Sequence, residues 1–84
     1  MPWKRSLKIA VAEEFHGKGY GRLLMDRVVE FARELEMESM ILEVRPTNDP
    51  AVALYKNTGF QTIGVRKGYY ADTREDALVM RLVL

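Results

Sequence analysis

The stretch HGKGYGR, from His16 to Arg22, constrains the fold more than any other. Leu7, Ile9 and Val11 alternate with Lys8 and Ala10 just before it, the period of a short strand. After Gly21, Leu24, Val28, Phe31 and Leu35 recur at spacings of four, three and four, with Arg22, Asp26, Arg27, Glu30, Arg33 and Glu34 filling the other face, which reads as an amphipathic helix. A strand must therefore turn into a helix through bare backbone. That arrangement points several unpaired N–H groups and the positive end of the helix dipole at one spot, where a bulky anion fits. Gly17, Gly19 and Gly21 clear the side chains away, and Lys18 and Arg22 add charge at the rim. GxxxxGK[ST] has no match, and Arg22 stands where GxGxxG requires its third glycine, so the loop is neither a P-loop nor a dinucleotide fingerprint. The bland alternative is a glycine turn with only a conformational role.

The rest of the chain completes a small α/β pattern. Met40 to Val44 is a second apolar run, and a helix between two such strands favours parallel pairing. Asp49 can cap a second helix, with Pro50 at its first position and Gly59 just past its end near Thr58. Phe60 to Arg66 and Ala77 to Leu84 predict an antiparallel hairpin around the turn KGYYADTRED, with a bulge at Gly64. The expected architecture is one α/β (α+β) domain over 1–84: about four strands in a mixed sheet, the first two parallel, with a helix on each face.

Composition narrows the function classes. Thirteen Lys and Arg against twelve Asp and Glu, a net charge of +1, give no global field for nucleic acid or an anionic membrane. Any anion site must be local. The 84 residues hold no cysteine, which excludes disulfides and thiolate zinc sites and fits a reducing, cytoplasmic setting. Neither a signal peptide nor a spanning run is evident, and His16, the lone histidine, has no metal-ligating cluster around it.

HGKGYGR followed by LLM resembles the acetyl-CoA loop of the GNAT acetyltransferases, with Gly19 and Gly21 as its glycines and His16 at the usual Gln or Arg position. LEVRPTNDPAVALYKNTGF, Leu42 to Phe60, is similar to the matching stretch of the ribosomal-protein-alanine and archaeal protein N-terminal acetyltransferases, and RKGYYAD with REDALVM is similar to their closing hairpin. These matches run in order over nearly the whole chain from Leu7. Members usually carry about twice as much chain before the glycine loop, so the sequence resembles the C-terminal, acetyl-CoA-binding half of the domain.

The resemblance implies transfer of acetyl from acetyl-CoA to an amine, above all a protein N-terminus, with no metal. Glu43 is the implied base: the only charge in ILEV, its pKa is expected to rise on burial. An outward-pointing carboxylate, or one paired with Arg45, is the structural alternative. Tyr55 is the implied acid for the coenzyme A thiolate, although its position also suits a core aromatic. Main-chain groups of Ile9, Ala10 and Val11 would hold the pantetheine arm together with Asn48, which can also simply cap the helix. His16, Gly17, Lys18, Gly19, Tyr20, Gly21 and Arg22 would hold the pyrophosphate, and Tyr69 and Tyr70 the acceptor peptide. A short chain whose first strand is an open edge is expected to form a homodimer or higher homo-oligomer. The rival expectation is a non-catalytic module that binds coenzyme A without turnover.

Overall fold

The computed structural model describes residues 5–10 and 20–84. Its elements are β1 (Ser6–Ile9), α1 (Tyr20–Glu34), β2 (Ser39–Val44), α2 (Asp49–Thr58), β3 (Gln61–Arg66) and β4 (Ala77–Val83). They form one four-stranded sheet in the order β1-β2-β4-β3. β1 runs parallel to β2, as a helical crossover demands, and β4 lies antiparallel to both β2 and β3. The mixed sheet with two helices is thus the expected one.

The helices differ from expectation in where they sit. Met40, Leu42 and Val44 project from one face of β2, and they share a single core with Met25, Val29 and Ala32 of α1 and with Ala51 and Tyr55 of α2. Met80 and Leu82 of β4 lie opposite Leu42 and Met40 in the ladder and complete that core. Both helices therefore cover the same face of the sheet, and the expected helix on each face is not observed. The physical reason is handedness: β1-α1-β2 and β2-α2-β3 both join parallel strands and step the same way across the sheet, so two right-handed crossovers lie on one face.

A second correction concerns α1. Its packed positions are Gly21, Met25, Val29 and Ala32, whereas Leu24, Phe31 and Leu35 remain 40%, 55% and 41% exposed. Val28 lies between the two rows, partly buried against the core. The stripe that made the helix look amphipathic is beside the one that packs. Small Gly21 and Ala32 let the backbone approach the sheet, and flexible Met25 fills the remaining gap.

The helix ends follow local chemistry. At the C-terminus of α1, Glu36 takes a left-handed backbone (φ 58°) and its amide bonds Arg33 O, while the Met37 amide returns to Ala32 O. Arg5 then donates through its guanidinium to Leu35 O and Glu36 O, both at 2.8 Å, tying the start of β1 to the end of the helix. At the start of α2, the cap is Asn48 rather than Asp49: Asn48 Oδ1 accepts the Ala51 amide at 3.3 Å, and Asp49 becomes the first helical residue. Gly59 closes α2 at φ 116° as expected, and a Cβ there would meet Leu82 Cδ1 at 3.1 Å. β3 carries the bulge, its register slipping between Thr62 and Gly64.

Candidate active site

The candidate residues gather where the described pairing of β1 with β2 ends. β1 follows β2 only from Ser6–Ser39 to Ile9–Leu42, but β2 runs on to Val44 and stays paired with β4 as far as Leu78. Among the described residues, no strand pairs with the β1 side of Glu43 and Val44. Ile9 ends β1 and Ala10 follows it exposed to solvent. Because strand side chains alternate, Glu43 points to the open face while Leu42 and Val44 point into the core beneath α2. A molecule lying alongside this end of β2 would meet Glu43 on one side of the sheet and the α2 residues on the other.

Glu43 is held by charge. Its Oε2 accepts from Arg66 Nη1 at 2.8 Å and pairs with Lys8 Nζ at 3.1 Å, and its side chain is only 8% exposed. Burial pushes the carboxyl pKa up, but the hydrogen bonds from Arg66 and Lys8, with their charges, outweigh it and hold the group below the ordinary 4.5. The expected rise is thus overturned. Its cause is long range, since one cation comes from β1 and the other from β3. Arg45, the partner suggested by proximity in sequence, is engaged elsewhere.

Tyr55 lies on the other side of β2. It is 3% exposed, with its ring 5.8 Å from that of Phe60, so it is a core aromatic as well as a candidate acid. Burial, with a smaller contribution from the nearby Tyr70 phenol, pushes its pKa up to about 12. The hydroxyl therefore stays protonated at neutral pH and is a donor.

Tyr69 and Tyr70 follow β3 as an edge-on pair with centroids 5.0 Å apart. The Arg66 guanidinium lies 4.9 Å over Tyr69, which links that ring to the Glu43 group. Arg45, at the end of β2, lies 4.0 Å over the Tyr70 ring and reaches both oxygens of Asp72 at 3.0 and 2.9 Å. It also donates to Thr73 Oγ1 at 2.9 Å and Glu75 Oε1 at 3.1 Å, and Thr47 donates to the other Glu75 oxygen at 2.8 Å. Hydrogen bonds and the Arg45 charge hold the Asp72 and Glu75 carboxyls below their ordinary values. Arg45 and Arg66 are the residues that reading the sequence missed. The signal for Arg45 was an arginine at a strand end facing an acid-rich turn; nothing local marked Arg66 as a partner of Glu43.

The remaining candidates are spread along the rim. Asn48 caps α2, four residues past the end of the strand that carries Glu43. Tyr20 opens the described part of α1, Gly21 is buried in its first turn, and Arg22 is exposed and paired with Asp26 at 3.1 Å. Val11, His16, Gly17, Lys18 and Gly19 lie outside the described residues. Among the described residues, no group of three His, Asp or Glu side chains is arranged to hold a metal, and no helix is long and apolar enough to cross a membrane.

Comparison with known proteins converges on one family. The model of the acetyltransferase (GNAT) family matches residues 5–60. A Bacillus subtilis (strain 168) chain, provisionally named a ribosomal protein bS18-alanine N-acetyltransferase, is 44% identical over 72 residues, covering 86% of this chain and 48% of its own. The solved ribosomal-protein-S18-alanine N-acetyltransferase of Escherichia coli superposes with a TM-score of 0.78 at 33% identity, covering 95% of this chain and 55% of that one. Ard1 from Thermoplasma volcanium gives 0.77 at 36% identity over 94% of this chain and 53% of its own. The chain spans about half the length of the curated relatives it matches, 48% of one and 51% of another. With the family model matching two thirds of its length, and with these relatives on the same four-stranded fold, the chain belongs to the acetyltransferase (GNAT) family.

Proposed function

We propose that this chain is the acetyl-CoA-binding half of an N-acetyltransferase domain acting on protein N-terminal amines. The observation that carries the reading is the placement of Glu43 and the protonated Tyr55 on opposite sides of β2, beside the end of β1. Acetyl-CoA supplies an activated acyl group, a thioester whose thiolate can leave. Two features support such a ligand: among the described residues, β2 has no strand partner on its β1 side beyond Leu42, and buried Gly21 stands in the first described turn of α1. Main chain at Ile9, Ala10 and Val11, with Asn48, would hold the extended arm. Backbone from His16 to Gly21, with Lys18 and Arg22, would hold the phosphates at the helix start.

The nitrogen–carbon bond forms as the carbon–sulfur bond breaks. An α-amine with a pKa of about 8 is roughly one-tenth neutral at pH 7, so it needs little help to lose a proton. That suits Glu43, whose two cations make it a weak base working through water. Tyr55 donates its proton to the departing thiolate, and its raised pKa keeps that proton available across the neutral range. The Val11 amide would polarise the carbonyl. Tyr69 and Tyr70, held under Arg66 and Arg45, form an aromatic shelf for the first residues of the acceptor. The N-terminal acceptor is supported by the relatives' names, and the absence of cysteine supports a reducing cytoplasmic setting.

A mass-spectrometric assay with a peptide bearing a free N-terminal alanine tests this directly. The expected result is an N-terminal acetyl group, with kcat reduced about 10²-fold in Tyr55→Phe while calorimetric binding of coenzyme A is retained. The engaged state of Glu43 favours a second reading, a module that binds coenzyme A without turnover. Binding without any product would decide for that module.

A further inference from the structure

We infer that Arg66 is a positioning residue: its guanidinium holds the Glu43 carboxylate and the Tyr69 ring in one fixed relation, and leaves Glu43 Oε1 to receive the amine's proton through water. The inference deepens the catalytic reading and rests on it for the roles of Glu43 and Tyr69. The ladder puts these groups on one face of the sheet. Lys8 lies opposite Ile41, while Ile41 and Glu43 lie opposite Arg81 and Val79, so all five project the same way. Arg66 pairs with Ala77, two residues before Val79, and joins that row. Because β4 stands between β2 and β3, Arg66 spans two strand spacings, about 10 Å, to reach Glu43. Only a long side chain closes that distance.

Both cations choose the same carboxylate oxygen. Arg66 Nη1 donates to Glu43 Oε2 at 2.8 Å, and Lys8 Nζ lies 3.1 Å from that atom. Among the described residues, none donates to Oε1, and no buried side-chain oxygen lacks a partner, so Oε1 reaches solvent. The carboxylate is thus fixed at one oxygen and open at the other. Across the ladder it faces uncharged Val79, with Arg81 one pair further on beside Ile41, and Arg45 of its own strand is held by Asp72 and Glu75.

The other side of the Arg66 guanidinium meets Tyr69, whose ring centre is 4.9 Å away. Only Lys67 and Gly68 separate the two residues, and the turn between them is set. Gly68 takes a left-handed backbone (φ 59°), and its amide donates to Asp76 Oδ1 at 2.9 Å. Ion pairs between side chains as exposed as Lys8 and Arg66 contribute little to stability. What this one removes is freedom: an arginine engaged at both ends no longer samples the rotamers that a bound acceptor would otherwise have to fix.

An NMR titration of the Glu43 carboxyl in the full 84-residue chain reads the linkage without any reaction, with backbone spectra to verify folding. Arg66→Gln removes a cation from Glu43 and should raise its titration midpoint. Tyr69→Leu removes no charge, yet it should raise the midpoint as well, because it loosens Arg66. In the Arg66→Gln background, Tyr69→Leu should add nothing. Both side chains are well exposed, so the variants fold. Acetylation of a peptide with a free N-terminal alanine gives the second readout. A stronger base alone would speed turnover, whereas lost positioning slows it, so kcat of Arg66→Gln should fall about tenfold. Arg66→Lys keeps the charge without the planar stack and should recover only part of that loss. A Tyr69→Leu midpoint equal to that of the wild type overturns the proposal. So does a kcat of Arg66→Gln at or above the wild-type value. A wild type that binds coenzyme A and forms no product overturns the catalytic reading instead, and the link from Glu43 to Tyr69 then stands or falls on the titrations.

Discussion

The two faces of the sheet solve different problems with the same strands. On the helical face, Met40, Leu42, Met80 and the ring of Tyr55 are almost fully excluded from water. On the open face, one residue away along β2, Glu43 sits between Lys8 and Arg66. Burying apolar area supplies the stability, whereas an ion group of half-exposed side chains contributes little. The first face therefore holds the fold, and the second contributes little to it.

Core truncation gives the largest contrast. Leu42→Ala should cost about 2–5 kcal/mol by urea denaturation. Ile41→Ala, its half-buried neighbour on the open face, should cost about half as much or less. Equal losses at the two sites would erase the distinction between the faces.

Alkaline pH probes the helical face next. A tyrosine whose folded pKa is raised from 10.0 to about 12 favours the fold while it stays neutral. That contribution, about 2–3 kcal/mol, is complete below pH 10 and lost as the pH climbs toward 12. Stability curves of Tyr55→Phe should lack this alkaline slope. An unchanged slope would mean that the phenol is not desolvated.

Acid should act on the other face, and more weakly. Glu43 has its folded pKa depressed, so its contribution is present above the ordinary value of 4.5 and disappears as the pH falls through the folded value. Glu43→Gln should flatten the loss of stability below pH 4.5 while changing stability at pH 7 by under about 1 kcal/mol, because Lys8 and Arg66 are 60% and 54% exposed. A large loss at pH 7 would make the carboxylate structural. A helix end gives an effect at the low end of the range: Asn48→Ala should cost about 0.5 kcal/mol by thermal denaturation, since its bond to the Ala51 amide is long at 3.3 Å.

How legible all this was in the sequence depended on distance along the chain. The order of elements, the stop at Gly59 and the bulge at Gly64 are each set by a few adjacent residues, and they stand as read. α1 misled because it carries two apolar rows side by side, Met25, Val29 and Ala32 next to Leu24, Phe31 and Leu35. Both have helical period, and only the sheet below decides which one packs. The cap of α2 was misjudged by one residue because Asn48 and Asp49 both qualify, and backbone direction selects the first. Glu43 was visible as a lone charge in an apolar strand. Its proton affinity was not, because Lys8 and Arg66 lie 35 and 23 positions away in the chain and reach it only through strand pairing.

The Arg45 contact with Tyr70 has a consequence for recognition. A ten-residue connection rich in charge would ordinarily sample many shapes, and a guest landing on it would have to freeze them. Here the guanidinium lies flat on one ring and grips Asp72, Thr73 and Glu75, so the bend is set in advance. Under the role proposed for Tyr69 and Tyr70, a visiting peptide would meet a prepared surface and keep for its own grip the free energy that stilling a floppy loop would have cost.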